Sequence, residues 1–208
     1  MRPVSHMRAR AAGFTLIEAA VVMAIIGILA AVGYPSMTTW LLARRAQAAA
    51  GYYMDGLALA RTMAIEHNSA SRFVLSKNAT SGQMEWQVDV CFSTSQTRCD
   101  DSNGAWSTAT TAVKDPFGRP VTSVARGGAA LPAAGAVKVS IDPAGETSAY
   151  FTPLGWIDTT VSPQINRITL APAAHSAAFA PTAVGMTLAG VASRCDPAAS
   201  GANPRRCP

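Results

Sequence analysis

Charge is scarce in this 208-residue chain: 14% of its residues are Asp, Glu, Lys or Arg, while 49% are hydrophobic. That balance excludes intrinsic disorder, which needs the opposite one. The length excludes two full-sized domains and accommodates one domain with an appendage. Histidine is limited to His6, His67 and His175, none at metal-ligand spacing. The sequence has no Gly-x-Ser-x-Gly, no Gly-rich phosphate loop, no His-Glu-x-x-His and no internal repeat. Nothing therefore points to an enzyme, and neither a cofactor nor a metal is expected.

Acidic residues are missing from two further places. The first thirteen residues hold Arg2, Arg8 and Arg10 and no acid, and no acid lies between Glu18 and Asp55. The net charge of +5 invites a nucleic-acid reading. Without the leader, 14 basic residues face 12 acidic ones, so the charge is not a property of the folded body.

Phe14 to Tyr34 are twenty-one residues whose single formal charge is Glu18. As a helix they reach about 30 Å, the hydrocarbon thickness of a bilayer. The basic leader stops at Gly13, before the apolar run, so any cut precedes the run; a secretory signal is cut after its own. Basic residues on the N-terminal edge favour a cytoplasmic N-terminus and an exported chain beyond Tyr34. A carboxylate inside such a segment costs about 3 kcal/mol unless partnered, so Glu18 reads as functional. The alternative is that Glu18 sits close enough to the membrane edge to reach water.

Gly13-Phe14-Thr15-Leu16-Ile17-Glu18, the apolar run and Pro35 together resemble the prepilin signature of type IV pilins and type II secretion pseudopilins. The resemblance implies cleavage between Gly13 and Phe14 by a prepilin peptidase and N-methylation of Phe14. It also implies that Glu18 pairs with the amino terminus of a neighbouring subunit during filament assembly. Opposite charges in an apolar bundle attract strongly, so Glu18 would set the register of entry. Pro35 matches the family's helix kink. Proline at this point either kinks or ends a helix, and helical patterning resumes at once, which favours a kink.

Residues 35–69 continue the helix, with Leu41, Ala48, Tyr52, Leu59 and Met63 recurring at three- and four-residue steps as an apolar stripe. Arg44 and Arg45 emerge near the outer membrane boundary, on a solvated face or against lipid phosphates. The stretch Leu59 to Asn68, with Arg61 and Glu66 before Arg72-Phe73-Val74-Leu75, resembles the GspH/FimT branch of the family, as does Tyr150-Phe-Thr-Pro-Leu-Gly155. Strands are expected at Glu85–Cys91, with Trp86, Val88 and Val90 on one face, at Val137–Ile141, around Tyr150, at Ile165–Leu170 and at Thr182–Leu188. Residues 102–135 read as a loop-rich insertion.

Four cysteines allow three pairings, and proximity favours Cys91 with Cys99 and Cys195 with Cys207. Neither pair has zinc-site spacing. Arg194, Arg205 and Arg206 make a small basic end. FimT-like DNA receptors use a Gly-Arg-x-Arg segment there, whereas this chain reads Gly190-Val-Ala-Ser-Arg194, so the paired motif is not intact. DNA binding through these arginines is the alternative function.

The expectation is an α+β chain of the type IV pilin-like fold. A cleaved basic leader (1–13) precedes a membrane and filament-core helix (14–34), its continuation (35–69) and a β-rich exported head (70–208). The implied partners are the prepilin peptidase, other pilins or pseudopilins, an inner-membrane assembly platform and, before assembly, the lipid bilayer. The implied location is single-pass in the inner membrane with a periplasmic head, then the pilus or pseudopilus filament.

Overall fold

The computed structural model describes residues 14–95, 97–100, 102–173 and 179–208; of residues 32 and 35 it describes the backbone alone. The architecture is α+β: one long helix, α1 (Leu16–Glu66), precedes a β-rich head. The chain divides into two compact units, Met1–Thr39 and Trp40–Pro208.

In the first unit α1 begins on a cap. The Glu18 amide donates to Thr15 Oγ1 at 3.3 Å and the Ala19 amide to the Thr15 carbonyl at 3.1 Å. Thr15 and Glu18 stand three apart, the spacing of a capping box, and Glu18 places a negative charge in the first turn, where the helix dipole favours it. The large apolar side chains beyond it are exposed, from Leu16 (88%) through Met23 (71%) to Leu29 (67%). The backbone stays helical through Pro35. Among the described residues no single helix is long and apolar enough to cross a membrane, but Leu16–Ala31 and Ser36–Glu66 taken together are.

In the second unit α1 fills a core. Its buried residues include Ala46, Ala49, Ala50, Tyr52, Tyr53, Leu57, Ala60, Met63 and Ala64. The stripe is wider than the expected one: Tyr52 and Met63 are buried and Leu59 is partly buried, but Leu41 and Ala48 are exposed and the alanines beside Ala48 are buried instead. At Gly56 the reason is closeness: a Cβ there would stand 2.6 Å from the Phe73 ring and 2.7 Å from the Trp86 ring, so no larger residue fits at that point. Past the end of α1 at Glu66 the chain turns at Asn68, in the left-handed region (φ 45°), with the Ser69 amide returning to the Ala64 carbonyl.

The strands are β1 (Ala70–Lys77), β2 (Met84–Cys91), β3 (Val113–Lys114), β4 (Pro120–Val121), β5 (Val124–Arg126), β6 (Val137–Asp142), β7 (Ser148–Phe151), β8 (Arg167–Pro172), β9 (Thr182–Met186) and β10 (Ala192–Cys195). They form two antiparallel four-stranded sheets, ordered β5-β2-β1-β7 and β10-β9-β8-β6, and a β3–β4 hairpin. Residues 102–135 thus contain three short strands, one of which extends the first sheet.

Directly opposed residues share a sheet face. Phe73, Val88 and Ala149 line the side of the first sheet that meets α1, while Arg72, Asp89 and Tyr150 line the other. In the second sheet Ile141, Ile168, Val184 and Arg194 face the core side, and Asp142, Arg167, Gly185 and Ser193 the outer side. Two disulfides, Cys91–Cys99 and Cys195–Cys207, close short loops. Each loop closure removes about 2–3 kcal/mol of unfolded-chain entropy.

Candidate functional site

The first candidate is the entry to α1. Phe14, 72% exposed, stands immediately before the Thr15 cap, and Glu18 projects exposed from the first turn. Gly13 and the leader lie outside the described residues. The arrangement offers a short exposed segment to a protease, then a capped helix whose large apolar side chains are exposed among the described residues. A bare apolar helix surface of this length is stable only against lipid or other apolar helices.

The second candidate is the basic end, and the structure divides it. Arg194 lies on the core side of β10, its Nη2 3.3 Å from the place a Cβ on Gly51 would occupy, so the side chain lies along α1. Arg205 and Arg206 belong to the tail, tied back by the Asp196 amide to the Arg205 carbonyl at 2.7 Å and by Cys195–Cys207. That tail runs over the outer side of the sheet, where the Pro208 ring stands 2.6 Å from the position of a Gly185 Cβ. All three side chains are exposed and, among the described residues, without an ion-pair partner; Arg194 lies along α1, and Arg206 pairs its backbone with Asp196, just past β10. His67 packs edge-on against Phe92 at 6.3 Å; His175 lies outside the described residues. Among the described residues no three metal-ligating side chains converge.

Sequence reasoning missed a buried charge on the outer side of the first sheet. Asp89, 1% exposed, accepts hydrogen bonds from Arg72 Nε at 2.8 Å, Gln87 Nε2 at 2.6 Å and Ser123 Oγ at 2.7 Å. The Arg72 guanidinium lies 4.5 Å above the Trp106 ring, which packs on Tyr150. Trp106 follows the Cys91–Cys99 disulfide in the chain, its Nε1 donating to the Asp100 carbonyl at 3.0 Å, and Gly104 allows the turn between them, since a Cβ on it would stand 2.9 Å from Cys91 Sγ.

The other side tied to α1 is the Gly155 turn. Arg61 Nε donates to the Gly155 carbonyl at 3.2 Å, and the Ile157 amide to the Leu188 carbonyl at 3.0 Å. Helix end, Gly155 turn and the turn before β10 are thereby held as one block.

Three carboxyls, Asp115 buried and Glu85 and Asp100 half-buried, stabilise turns. Hydrogen bonds from the Asn78 side chain and the Gly128 amide hold Glu85 below the usual carboxylate range. Partial desolvation pushes Asp100 and Asp115 up, but their hydrogen bonds outweigh it and leave both lowered: Ser102 and Asn103 donate to the first, and Arg119 and Phe117 to the second. A carboxyl lowered in the folded state contributes stability above its unfolded pKa and loses it as pH falls through the folded value. The unfolding temperature of the detergent-solubilised chain is therefore expected to be flat from about pH 7 to about pH 5 and to fall below about pH 4. Glu85→Gln should make that acid limb shallower; a curve that stays flat into strong acid would contradict the assignment.

Residues 8–34 match the family model described as the prokaryotic N-terminal methylation motif. The match spans Gly13, Phe14 and Glu18 and runs along the apolar part of α1 to Tyr34. No curated protein matches the chain, and no solved structure does. The motif supports a type IV pilin-like prepilin: a substrate of a prepilin peptidase, with an N-terminal membrane anchor, that assembles with other pilins.

Proposed function

We propose that this chain is a minor pilin or pseudopilin of the GspH/FimT kind, assembled through α1 into a type IV pilus or a type II secretion pseudopilus. The observation that carries the reading is the methylation motif running without interruption into an exposed apolar helix. Before assembly the anchor sits in the inner membrane, its N-terminus cytoplasmic and its head periplasmic, a compartment that suits two disulfides. An assembly platform then draws the chain into the filament. The work is mechanical: neighbouring helices cover one another's apolar surface, Glu18 fixes register against the methylated Phe14 of a neighbour, and the head presents its surface outward. Arg61 at the end of α1, bonded to the Gly155 turn, supports the GspH/FimT assignment, because the two segments resembling that branch meet there.

A DNA-receptor role would rest on Arg194, Arg205 and Arg206. The Gly-Arg-x-Arg pairing is not intact, and Arg194 lies along α1 while Arg205 and Arg206 belong to the tail, which ranks that role below assembly.

Intact-mass analysis of the membrane-extracted chain is expected to show loss of residues 1–13 and one added methyl on Phe14. Glu18→Ala is expected to be cut normally yet to fall to background in sheared filaments. An uncut chain, or a Glu18→Ala chain that enters filaments as the parent does, would refute the proposal.

A further inference from the structure

Glu18 and Arg44 bracket a stretch with no formal charge at all: the 25 residues from Ala19 to Ala43. As a helix, a run of this length exceeds the about 20 residues needed to span a bilayer's hydrocarbon core. The membrane-embedded segment defined by charge is thus shifted toward the head relative to Phe14–Tyr34, and it brings Trp40 to the outer headgroup level. Leu42 is partly buried against the head core and full burial begins at Ala46, whereas Trp40 (56% exposed) and Leu41 (37%) stay exposed.

At this level α1 carries an aromatic and basic collar. Arg44 places its guanidinium 5.2 Å over the Trp40 ring. Arg45, one residue on, opens onto a cleft shared with Tyr52, Arg126, Leu131 and Pro132. Neither Arg44 nor Arg45 has a carboxylate partner among the described residues; the carboxylate nearest in sequence, Asp55, is engaged with Arg126 at 3.1 Å. Indole rings concentrate at the headgroup level, and arginines beside them attract lipid phosphate.

We infer that Trp40, Arg44 and Arg45 form a phospholipid-headgroup site that fixes how deep α1 sits before the chain leaves the membrane. The inference rests on the pilin-like reading. It deepens that reading by giving Glu18 a boundary position in the membrane, where its carboxylate meets water and is buried only on entering a filament.

The test uses the full processed chain in mild detergent, first checked by intact mass for the cut and the methyl group. Native mass spectrometry then counts adducts with phosphatidylglycerol and with diacylglycerol of the same acyl chains, which lacks the phosphate. Phosphatidylglycerol should be retained and diacylglycerol not. The double variant Arg44→Gln/Arg45→Gln should lower retention about tenfold. Arg205→Gln/Arg206→Gln, with the same loss of charge elsewhere, should leave it unchanged. Equal losses in both variants, equal retention of diacylglycerol, or displacement of the lipid by inorganic phosphate would overturn the site. In vesicles, Trp40→Phe should remove the fluorescence quenched by lipids brominated near the headgroup; quenching that survives the substitution would place the boundary elsewhere. A chain correctly cut and methylated that fails these measurements sinks the headgroup site and leaves the pilin-like assignment standing, whereas an uncut chain counts against that assignment.

Discussion

Arg72→Met is expected to cost the head about 3–5 kcal/mol, the loss seen when one member of a buried ion pair is removed. Asp89 would keep Gln87 and Ser123 as donors, but both are neutral, and at 1% exposure its charge has no route to water. The same substitution takes the guanidinium off Trp106, which packs on Tyr150 on the outer side of the first sheet. Asp89→Asn should be milder, about 1–2 kcal/mol, because Arg72 is 23% exposed and turns toward solvent. Arg72→Met with Asp89→Leu should recover most of the loss, since a buried ion pair replaced by apolar side chains leaves no orphaned charge. Urea unfolding followed by tryptophan emission measures all three. A loss under about 1 kcal/mol for Arg72→Met would mean that Asp89 is hydrated in solution.

Gly190→Ala should be as damaging, for a different reason. Gly190 sits at φ +72°, and a Cβ there would stand 2.1 Å from the Gly155 carbonyl oxygen. The oxygen cannot retreat: Arg61 holds it, and behind Gly155 the Ile65 side chain leaves no room. Gly145 is the control, at φ +96° with nothing within 4 Å of its missing Cβ. Gly145→Ala should cost about 1–2 kcal/mol, the left-handed backbone alone. Gly190→Ala should exceed about 3 kcal/mol, because overpacking against a fixed turn adds to that strain. Similar losses for the two would show that the Gly155 turn yields and that helix end and turn are not one block.

The parts of this molecule written in contiguous residues could be read directly. The leader, Gly13-Phe14 and Glu18 form one uninterrupted pattern, and the alternation of Trp86, Val88 and Val90 fixed which side of β2 faces the helix. What failed was whatever depends on residues far apart in the chain. Asp89 alternates as a solvent-facing residue should, and Arg72 and Ser123, distant in sequence, are among the groups that meet it in the interior. The helix stripe was legible only in part, with Tyr52 and Met63 buried and Leu41 and Ala48 not, because so many alanines leave more than one face apolar and the choice belongs to the sheets packed on it. β10 escaped notice because it is four residues long, lies on a sheet edge and carries an exposed arginine. The three arginines are close in sequence, yet one lies along α1 and the other two belong to a tail that returns to Asp196 just past β10, a pairing that sequence spacing does not specify.

The turn at Asn68 has a mechanical consequence. Only three residues separate the end of α1 from β1, and β1 is an inner strand, zipped to β2 along all eight residues and to β7 along four. A pull on the helix therefore reaches the head at the middle of a sheet rather than at an edge. An edge strand peels one hydrogen bond at a time, whereas β1 is gripped by ladders on both flanks and shares the load among them. A chain towed by its helix would tend to transmit tension as shear before it unravelled.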